Sequence, residues 1–213
     1  MNRVILTYSR LPRQLAAPLR ARWRARLGVG RALRLSADAH AQSQSIVGVA
    51  LACQLLSEAA GRIVSPAELR YSMHGKPHVP GLPQFSIAHE GAWILCALAS
   101  AGEVGVDLEP LMATASLPRW SRVFDAAERA AACTPRAALT IWTAKEAVLK
   151  AAGATLAEAA QVRVRGRRVE FRGRLWHCRT PRLAPRVIVR LITALPVTNL
   201  RLRAVPLACA LAS

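Results

Sequence analysis

The sequence predicts an α+β fold, in which helices pack on antiparallel strands. Ser43 to Ala60 has apolar residues at helical spacing and is followed by Gly61, as at a helix end. Three short apolar segments come next, separated by turn-forming residues, as expected for antiparallel strands. A helix followed by strands recurs in the second half, in element order and not in sequence. Helices grouped against antiparallel strands are typical of α+β proteins.

The individual elements follow from hydrophobic periodicity and from turn-forming residues. Those of the first half are a strand Val4–Tyr8, a basic helix Arg20–Leu35, the buried helix Ser43–Ala60, and an antiparallel meander of Gln84–His89, Ala92–Ala99 and Glu103–Glu109. Those of the second half are helices Val123–Ala132 and Ala138–Ala152 and strands Gln161–Val164, Arg168–Arg172, Val187–Leu195 and Leu200–Leu211. The loop "HGKPHVPGLP" precedes the meander.

The composition describes a basic chain with enough apolar residues for a core. It has 213 residues, of which 53% are hydrophobic, so it suits one large domain or two small lobes that share a core. The 30 basic and 12 acidic residues give a net charge of +18. Nucleic acids, phosphorylated small molecules and acidic proteins are all possible partners for such a charge. Apart from Lys76, Lys145 and Lys150 every basic residue is arginine, which also fits a nucleotide bias of the gene.

Cysteine usage and hydropathy predict a cytoplasmic protein. The five cysteines are odd in number and none lie at CxxC spacing, so we expect buried, reduced side chains and no zinc site. The N-terminus lacks the apolar run of a signal peptide. The apolar C-terminal stretch is interrupted by arginine and proline, and it suits strands better than a membrane helix.

The segment "GVDLE" places two carboxylates on one face of a predicted strand. Gly105, Asp107 and Glu109 alternate with apolar residues, so they share the face opposite the core, which we predict to be the solvent side. The two carboxylates then lie ~7 Å apart. Mg²⁺ is commonly held by one or two carboxylates together with substrate phosphates. The alternative is an exposed strand face with two solvated acids.

Two further segments supply cations close to acids. In "WTAKEAVLK", Glu146 and Lys150 are four residues apart on a predicted helix, which suits phosphate chemistry but equally an ordinary helix pair worth ~0.3 kcal/mol. In "GKPHVPGLPQFSIAHEG", Lys76 lies in a tight loop and His89 ends a strand. A lone histidine at such a position is also compatible with a plain surface residue.

In order along the chain, these segments resemble the Sfp-type 4′-phosphopantetheinyl transferases. That family carries a G-[IV]-D-[IVL]-E strand, an F-[ST]-x-x-E segment and a W-[ST]-x-K-E-A-x-x-K helix. Here they read "GVDLE", "FDAAE" and "WTAKEAVLK", and the upstream "GKP" and "FSIAH" pieces are also present. The resemblance covers roughly Gly75 to Gly153.

The resemblance implies two similar lobes related by a pseudo-twofold axis, with coenzyme A bound between them. We place the lobes at residues 1–104 and 105–213. Asp107, Glu109 and Glu146 would hold Mg²⁺ (or Mn²⁺), and Glu146 would also be the base for the acceptor serine. Lys150 would lie at the pyrophosphate, and Lys76 and His89 would contact coenzyme A.

The chain departs from the family pattern at three positions. Gln44, followed by Ser45, stands where the family usually has arginine near the start of the first long helix. We expect both residues at the coenzyme A site, with Arg31 or Arg34 supplying the phosphate contact of that arginine. Ala88 replaces a serine before the histidine, and Asp125 replaces Ser or Thr in the F-x-x-x-E segment. The metal and lysine positions are intact.

The sequence therefore predicts a monomeric transferase that moves phosphopantetheine from coenzyme A to a serine of an acidic acyl- or peptidyl-carrier protein. A coenzyme A-binding relative that scaffolds carrier proteins without catalysis is the first alternative. A nucleic-acid-binding module is the second, although aromatic residues make up 5% of the chain and no nucleic-acid-binding motif is recognised.

Overall fold

Two mixed helix-and-sheet units form the fold. The computed structural model describes residues 1–28, 36–111 and 121–212. The strands are β1 (Asn2–Arg10), β2 (Arg70–Tyr71), β3 (Pro77–His78), β4 (Phe85–Glu90), β5 (Trp93–Ala99), β6 (Val104–Pro110), β7 (Arg163–Arg165), β8 (Arg168–Phe171), β9 (Arg174–Arg179), β10 (Val187–Thr193) and β11 (Val197–Ala204). The α-helices are α1 (Ala17–Arg26), α2 (Ala39–Ala60), α3 (Ala126–Ala131), α4 (Pro135–Ala152) and α5 (Leu207–Leu211). The predicted α+β class is confirmed.

Two larger sheets lie between the long helices. The first has the strand order β11-β1-β5-β4, and the second has the order β6-β10-β9-β8-β7. Helix α2 packs on the first sheet in a core that includes Leu51, Leu55 and Phe85. Helix α4 packs on the second sheet over Phe171 and Ile192. The predicted pseudo-twofold relation between the two units stays a prediction.

A third core joins the two sheets face to face. Val4 and Leu95 of the first sheet share it with Val106 and Leu191 of the second, and all four are almost fully buried. The backbone N–H of Val106 also donates to the Ser86 hydroxyl across this junction, at 3.1 Å. The junction places the end of β4 beside β6 and helix α4.

Several predicted elements differ from the observed ones. The meander is wrong, because β4 and β5 form an antiparallel hairpin while β6 pairs with β10 in the other sheet. Strand β9 was missed. The last predicted strand ends at Ala204 and is followed by helix α5. The basic helix ends at Arg26, and residues 29–35 of its predicted span lie outside the described residues.

The last strand of the chain belongs to the first sheet, although its residues were assigned to the second lobe. Strand β11 pairs in parallel with β1, Val4 lying opposite Leu200, although residues 105–213 were assigned to the second lobe. Helix α5 contacts α2. The boundary between residues 104 and 105 itself stays a prediction.

Of the helices in the described ranges, none combines the length and the apolar character needed to cross a membrane.

Strand β6 is covered on both faces, and Gly105 is what lets helix α4 approach it. A Cβ at Gly105 would lie 2.0 Å from the Ala147 carbonyl oxygen and 2.5 Å from the Ala151 backbone nitrogen. Both are backbone atoms, which cannot rotate away as a side chain can. Only glycine fits here, because the helix backbone occupies the space of a side chain.

We expect Gly105→Ala to lower the free energy of unfolding by about 2–3 kcal/mol, as overpacking does when backbone must move. Urea denaturation measures it. Gly48→Ala is the matched control, since its Cβ would meet a side-chain methyl of Ile87, at 2.6 Å, and alanine favours its helix. Equal losses in the two variants would contradict the role of the α4 backbone.

Candidate active site

Three carboxylates from two elements converge where α4 crosses β6. Asp107 and Glu109 are two apart on β6 and therefore share the face that α4 covers. Glu146 projects from α4 toward the same place. One oxygen from each of the three side chains lies within 4.8 Å of the other two. The residues predicted as metal ligands are thus brought together.

Asp107 is buried, which corrects the prediction that its side chain faces solvent. It is 4% exposed, because α4 lies on the face that the alternating pattern assigned to water. Its Oδ1 accepts a hydrogen bond from Lys150 Nζ at 2.6 Å. Its Oδ2 is buried without a hydrogen-bond partner among the described residues. An unsatisfied buried carboxylate oxygen is costly unless a cation or a donor binds it.

The crowding of charge shows in the pKa values of the two glutamates. Burial, then the charge of Asp107, raises the pKa of Glu146 to about 8. Burial, then Asp107 and Glu90, raises the pKa of Glu109 to about 7. Lys150 opposes both shifts. One ammonium therefore compensates three carboxylates incompletely, and a divalent cation would complete the balance.

The donor set fits a hard divalent cation. All three groups supply oxygen, which Mg²⁺ and Mn²⁺ prefer, and the described candidate ligands here include no thiolate or imidazole. The unpartnered Oδ2 of Asp107 supplies an available ligand atom. The residues present therefore suit Mg²⁺.

Trp142 orients Glu109, a contact that the sequence did not reveal. Its indole N–H donates to the Glu109 carboxylate, which lowers the pKa of Glu109 against the larger effect of burial. Trp142 lies one turn before Glu146 on α4, so it reaches Glu109 on the adjacent strand. Its helical spacing from Glu146 was the available signal.

A cavity of about 230 Å³ opens beside the carboxylates. Four residues predicted from separate motifs line it: Ser45, Lys76, His89 and Lys150. Ser45 comes from α2, His89 from the end of β4 and Lys150 from α4. Lys150 contributes both to this cavity and to the acidic cluster, because its ammonium reaches Asp107.

Lys76 spans the two units of the fold. Its Nζ donates to the carbonyl oxygen of Ala151 at 2.5 Å, in the last turn of α4, where helix carbonyls lack internal partners. Burial lowers the pKa of Lys76 to about 8, and Glu103 opposes that shift weakly. Lys76 thus lies in the cavity wall with an ammonium that is easily neutralised.

Gln44 lies outside the cavity lining, and the prediction that it begins the helix is wrong. Helix α2 begins at Ala39, capped by the Asp38 side chain, so Gln44 lies in its second turn. The Gln44 side-chain amide donates to the Gly91 carbonyl oxygen at 2.8 Å and so secures the turn between β4 and β5. Arg31 and Arg34, the expected substitutes, lie outside the described residues.

Lys145, the first lysine of "WTAKEAVLK", has a different partner from Lys150. It is fully buried, with Nζ 2.9 Å from a Glu128 carboxylate oxygen that is also buried. Nζ further donates to the carbonyl oxygens of Ala159 and Val162. The lysine thus ties the "FDAAE" segment to α4, and sequence reasoning missed this pair.

Asp125, which replaces the usual Ser or Thr in "FDAAE", serves as the N-cap of α3. It caps α3 by accepting from the Glu128 backbone N–H at 2.9 Å, and Glu128 accepts in return from the Asp125 N–H. Ser, Thr and Asp all serve as helix N-caps, so the replacement preserves this local structure.

The segment that carries these motifs is similar to known proteins. Residues 103–189 match the family model described as the 4′-phosphopantetheinyl transferase superfamily. The resemblance to this superfamily is confirmed. A 4′-phosphopantetheinyl transferase of Bacillus subtilis is 35% identical over 78 residues, which are 35% of this chain and 32% of that protein. The match thus spans about a third of the length of the curated relative.

The superfamily match covers one side of the site. Asp107, Glu109, Glu146 and Lys150 lie inside residues 103–189, whereas Lys76 and His89 lie before them. The fold brings the two groups together, because Lys76 donates to the end of α4 and His89 lines the same cavity as Lys150.

Proposed function

We propose that this chain transfers the 4′-phosphopantetheine group of coenzyme A to a serine hydroxyl of an apo acyl- or peptidyl-carrier protein, in the presence of Mg²⁺. The serine oxygen forms a bond to the phosphorus that carries pantetheine. The bond from that phosphorus to the bridging oxygen of the pyrophosphate breaks, and 3′,5′-ADP leaves. The serine proton goes to a base of the protein.

One observation carries this proposal. The cluster of Asp107, Glu109 and Glu146 shares Lys150 with a cavity, and its buried Asp107 Oδ2 is unpartnered among the described residues. The cluster also lies within the superfamily segment. Oxygen ligands beside a cationic cavity suit a metal-bound pyrophosphate.

The residues divide the chemistry between them. Mg²⁺, held by Asp107, Glu109 and Glu146, would neutralise charge at the reacting phosphate. Glu146 accepts the serine proton, directly or through a water. Lys150 stabilises the charge that develops on the departing 3′,5′-ADP. Positioning and electrostatics dominate such transfers.

Coenzyme A binds partly in the cavity. At about 230 Å³ the cavity is smaller than the ~300–1,000 Å³ usual for small-molecule sites, so it holds one portion of the ligand. Lys76, His89 and Ser45 are the contacts we assign there. The remaining length of coenzyme A lies along the surface between the lobes.

Ala88 does not weaken this proposal. Its side chain is 1% exposed, packs in the core between the two sheets, and is not part of the cavity lining. A serine side chain at this position would face the same core. The departure from the family pattern therefore removes no side-chain contact with the cavity.

A transfer assay tests the proposal. The chain is incubated with coenzyme A, Mg²⁺ and a panel of apo carrier proteins, and their masses are measured. We expect a gain of one phosphopantetheine group. It should be absent with EDTA and absent when the acceptor serine is replaced by alanine. Binding of coenzyme A and carrier protein without a mass gain would instead identify a scaffold, and retention on DNA at physiological salt would favour a nucleic-acid module.

We expect coenzyme A binding to weaken as the pH rises through about 8, the pKa of Lys76. A bound phosphate favours the charged lysine, so binding takes up a proton, and affinity present below this pKa is lost above it. The affinities from calorimetric titrations with EDTA at about pH 7 and about pH 9 should differ by about tenfold, because the charged fraction of free Lys76 falls about tenfold while the phosphate, with a second pKa of about 6, changes little.

Lys76→Met is the control for this pH dependence. It should bind weakly at both pH values and flatten the part of the profile that Lys76 causes. The difference between the pH profiles of the variant and the wild type isolates the contribution of Lys76 from that of the nearby glutamates, which also titrate. Identical profiles in the two proteins would remove Lys76 from the coenzyme A site.

A further inference from the structure

A second groove lies on the unit that holds α4, away from the cavity. It measures about 740 Å³ and runs between the first turns of α4 and the segment that leads into β10. Arg136, Arg167 and Arg182 stand on its walls, and Leu183 and Ile188 are among its apolar lining. We call this the arginine groove.

The three arginines of the groove are available for a partner. All three are exposed. Within residues 1–28, 36–111 and 121–212, the side chains of Arg136, Arg167 and Arg182 form no hydrogen bond or ion pair. By contrast, Arg165, Arg172 and Arg174 each pair with a carboxylate. Three uncompensated guanidinium groups around an apolar floor favour an anionic surface.

The arginine groove adjoins the acidic cluster through one pair of strands. Ile188 of the groove is the Cα partner of Glu109, and Arg190 is the partner of Asp107. Paired residues of antiparallel strands have Cα atoms about 4.5–5.5 Å apart. Arg190 also donates to the hydroxyl of Thr180, another lining residue, at 2.6 Å. A protein bound in the arginine groove would therefore have some of its own residues close to the acidic cluster.

We infer that the arginine groove docks an acidic helix of the carrier protein and so presents the acceptor serine to Glu146. This inference rests on the proposed function. Charge complementarity supports an acidic partner, and the accessible apolar lining of Leu183, Ala184 and Pro185 suits the apolar side of an amphipathic helix. Single-stranded nucleic acid is disfavoured, because it is usually held by stacking on aromatic rings and the described lining contains none.

Charge reversal with a matched control tests the groove. The variant Arg136→Glu/Arg167→Glu/Arg182→Glu is compared with Arg13→Glu/Arg22→Glu/Arg24→Glu. The control makes the same charge change at exposed arginines of the first unit, whose side chains form no hydrogen bond or ion pair with other described residues. Steady-state kinetics with an acidic apo acyl-carrier protein give KM for that protein, KM for coenzyme A and kcat.

The groove variant should raise KM for the carrier protein by about tenfold or more at low salt, since like charges then face each other. Its kcat and its KM for coenzyme A should change by less than about twofold, because rim charges act mainly on association. The control should change little in any constant. High salt should shrink the difference between the variants. If Glu substitutions impair folding by circular dichroism, the Gln triple replaces them.

Equilibrium binding tests the docking proposal separately from the proposed transfer activity. Fluorescence anisotropy of labelled apo carrier protein needs no catalysis. Wild type that transfers nothing contradicts the proposed function, whereas equal carrier affinity and equal KM in the two triple variants overturn the groove. Binding of single-stranded RNA that the groove variant alone abolishes, with carrier binding unchanged, also overturns it.

Discussion

Asp107→Asn should lower turnover by about a thousandfold, or about 4 kcal/mol, because a ligand of the catalytic cation is lost. Asparagine keeps the size of the side chain, and its carbonyl oxygen can still accept the hydrogen bond that Lys150 now donates to Asp107 at 2.6 Å. The change also removes the negative charge that raises the pKa of both Glu146 and Glu109. Thermal stability should therefore be maintained or increased while activity falls.

Three measurements check this result: single-turnover transfer, calorimetric Mg²⁺ titration, and thermal unfolding. Glu103→Gln is the control, since it removes a partly buried carboxylate just before β6 that pairs with Arg174 at 3.0 Å. That variant should keep its turnover and its Mg²⁺ affinity. Near-normal turnover of Asp107→Asn at low Mg²⁺ would show that Asp107 is not a metal ligand.

Lys145→Met should lower the free energy of unfolding by about 3–5 kcal/mol, the usual cost of leaving one partner of a buried ion pair alone. Glu128 would remain buried without Lys145, and its remaining cation, Arg165, lies 3.8 Å away with a half-exposed side chain. It would still accept from the backbone N–H groups of Asp125 and Val164, at 2.9 and 2.7 Å. Urea denaturation measures the loss.

The double variant Lys145→Met/Glu128→Gln is the control for the ion pair. A neutral glutamine can retain the backbone hydrogen bonds without an uncompensated charge. The double variant should therefore be more stable than Lys145→Met alone, since neutralising both members avoids the stranded carboxylate. If the double variant is as unstable as Lys145→Met, the loss of stability comes from altered packing and not from the uncompensated charge.

Local patterns predicted most of the elements but not how the strands pair. Helix α2 and helix α4 follow from periodicity, and the turns at Gly91 and Gly102 mark strand ends. Strand β6 follows directly after β5 in sequence, so a meander was the natural prediction. Its place in the other sheet depends on pairing with β10, which lies far along the chain and is therefore not visible in a local pattern.

The clustering of Asp107, Glu109 and Glu146 could be predicted, because these residues lie in motifs that resemble one family in order along the chain. That the side chains of this cluster are buried could not be predicted. Alternation in β6 shows that Asp107 and Glu109 share a face, but it does not show that a helix covers that face; only the space at Gly105 gives an indication. Lys145 illustrates the same difficulty. A lysine beside a glutamate on a helix suggests a surface pair, and its actual partner Glu128 lies seventeen residues earlier.

The parallel pairing of β1 with β11 has a consequence for how the chain folds. Strand β1 is synthesised first and β11 nearly last, so one edge of β1 has no partner until almost the whole chain is available. Closing so long a loop is slow, because its entropy is lost before the contacts form. Until then, the backbone edge of Val4 to Tyr8 is open to strands of other molecules. Nascent or truncated chains that lack residues 197–204 should therefore be the aggregation-prone species of this protein.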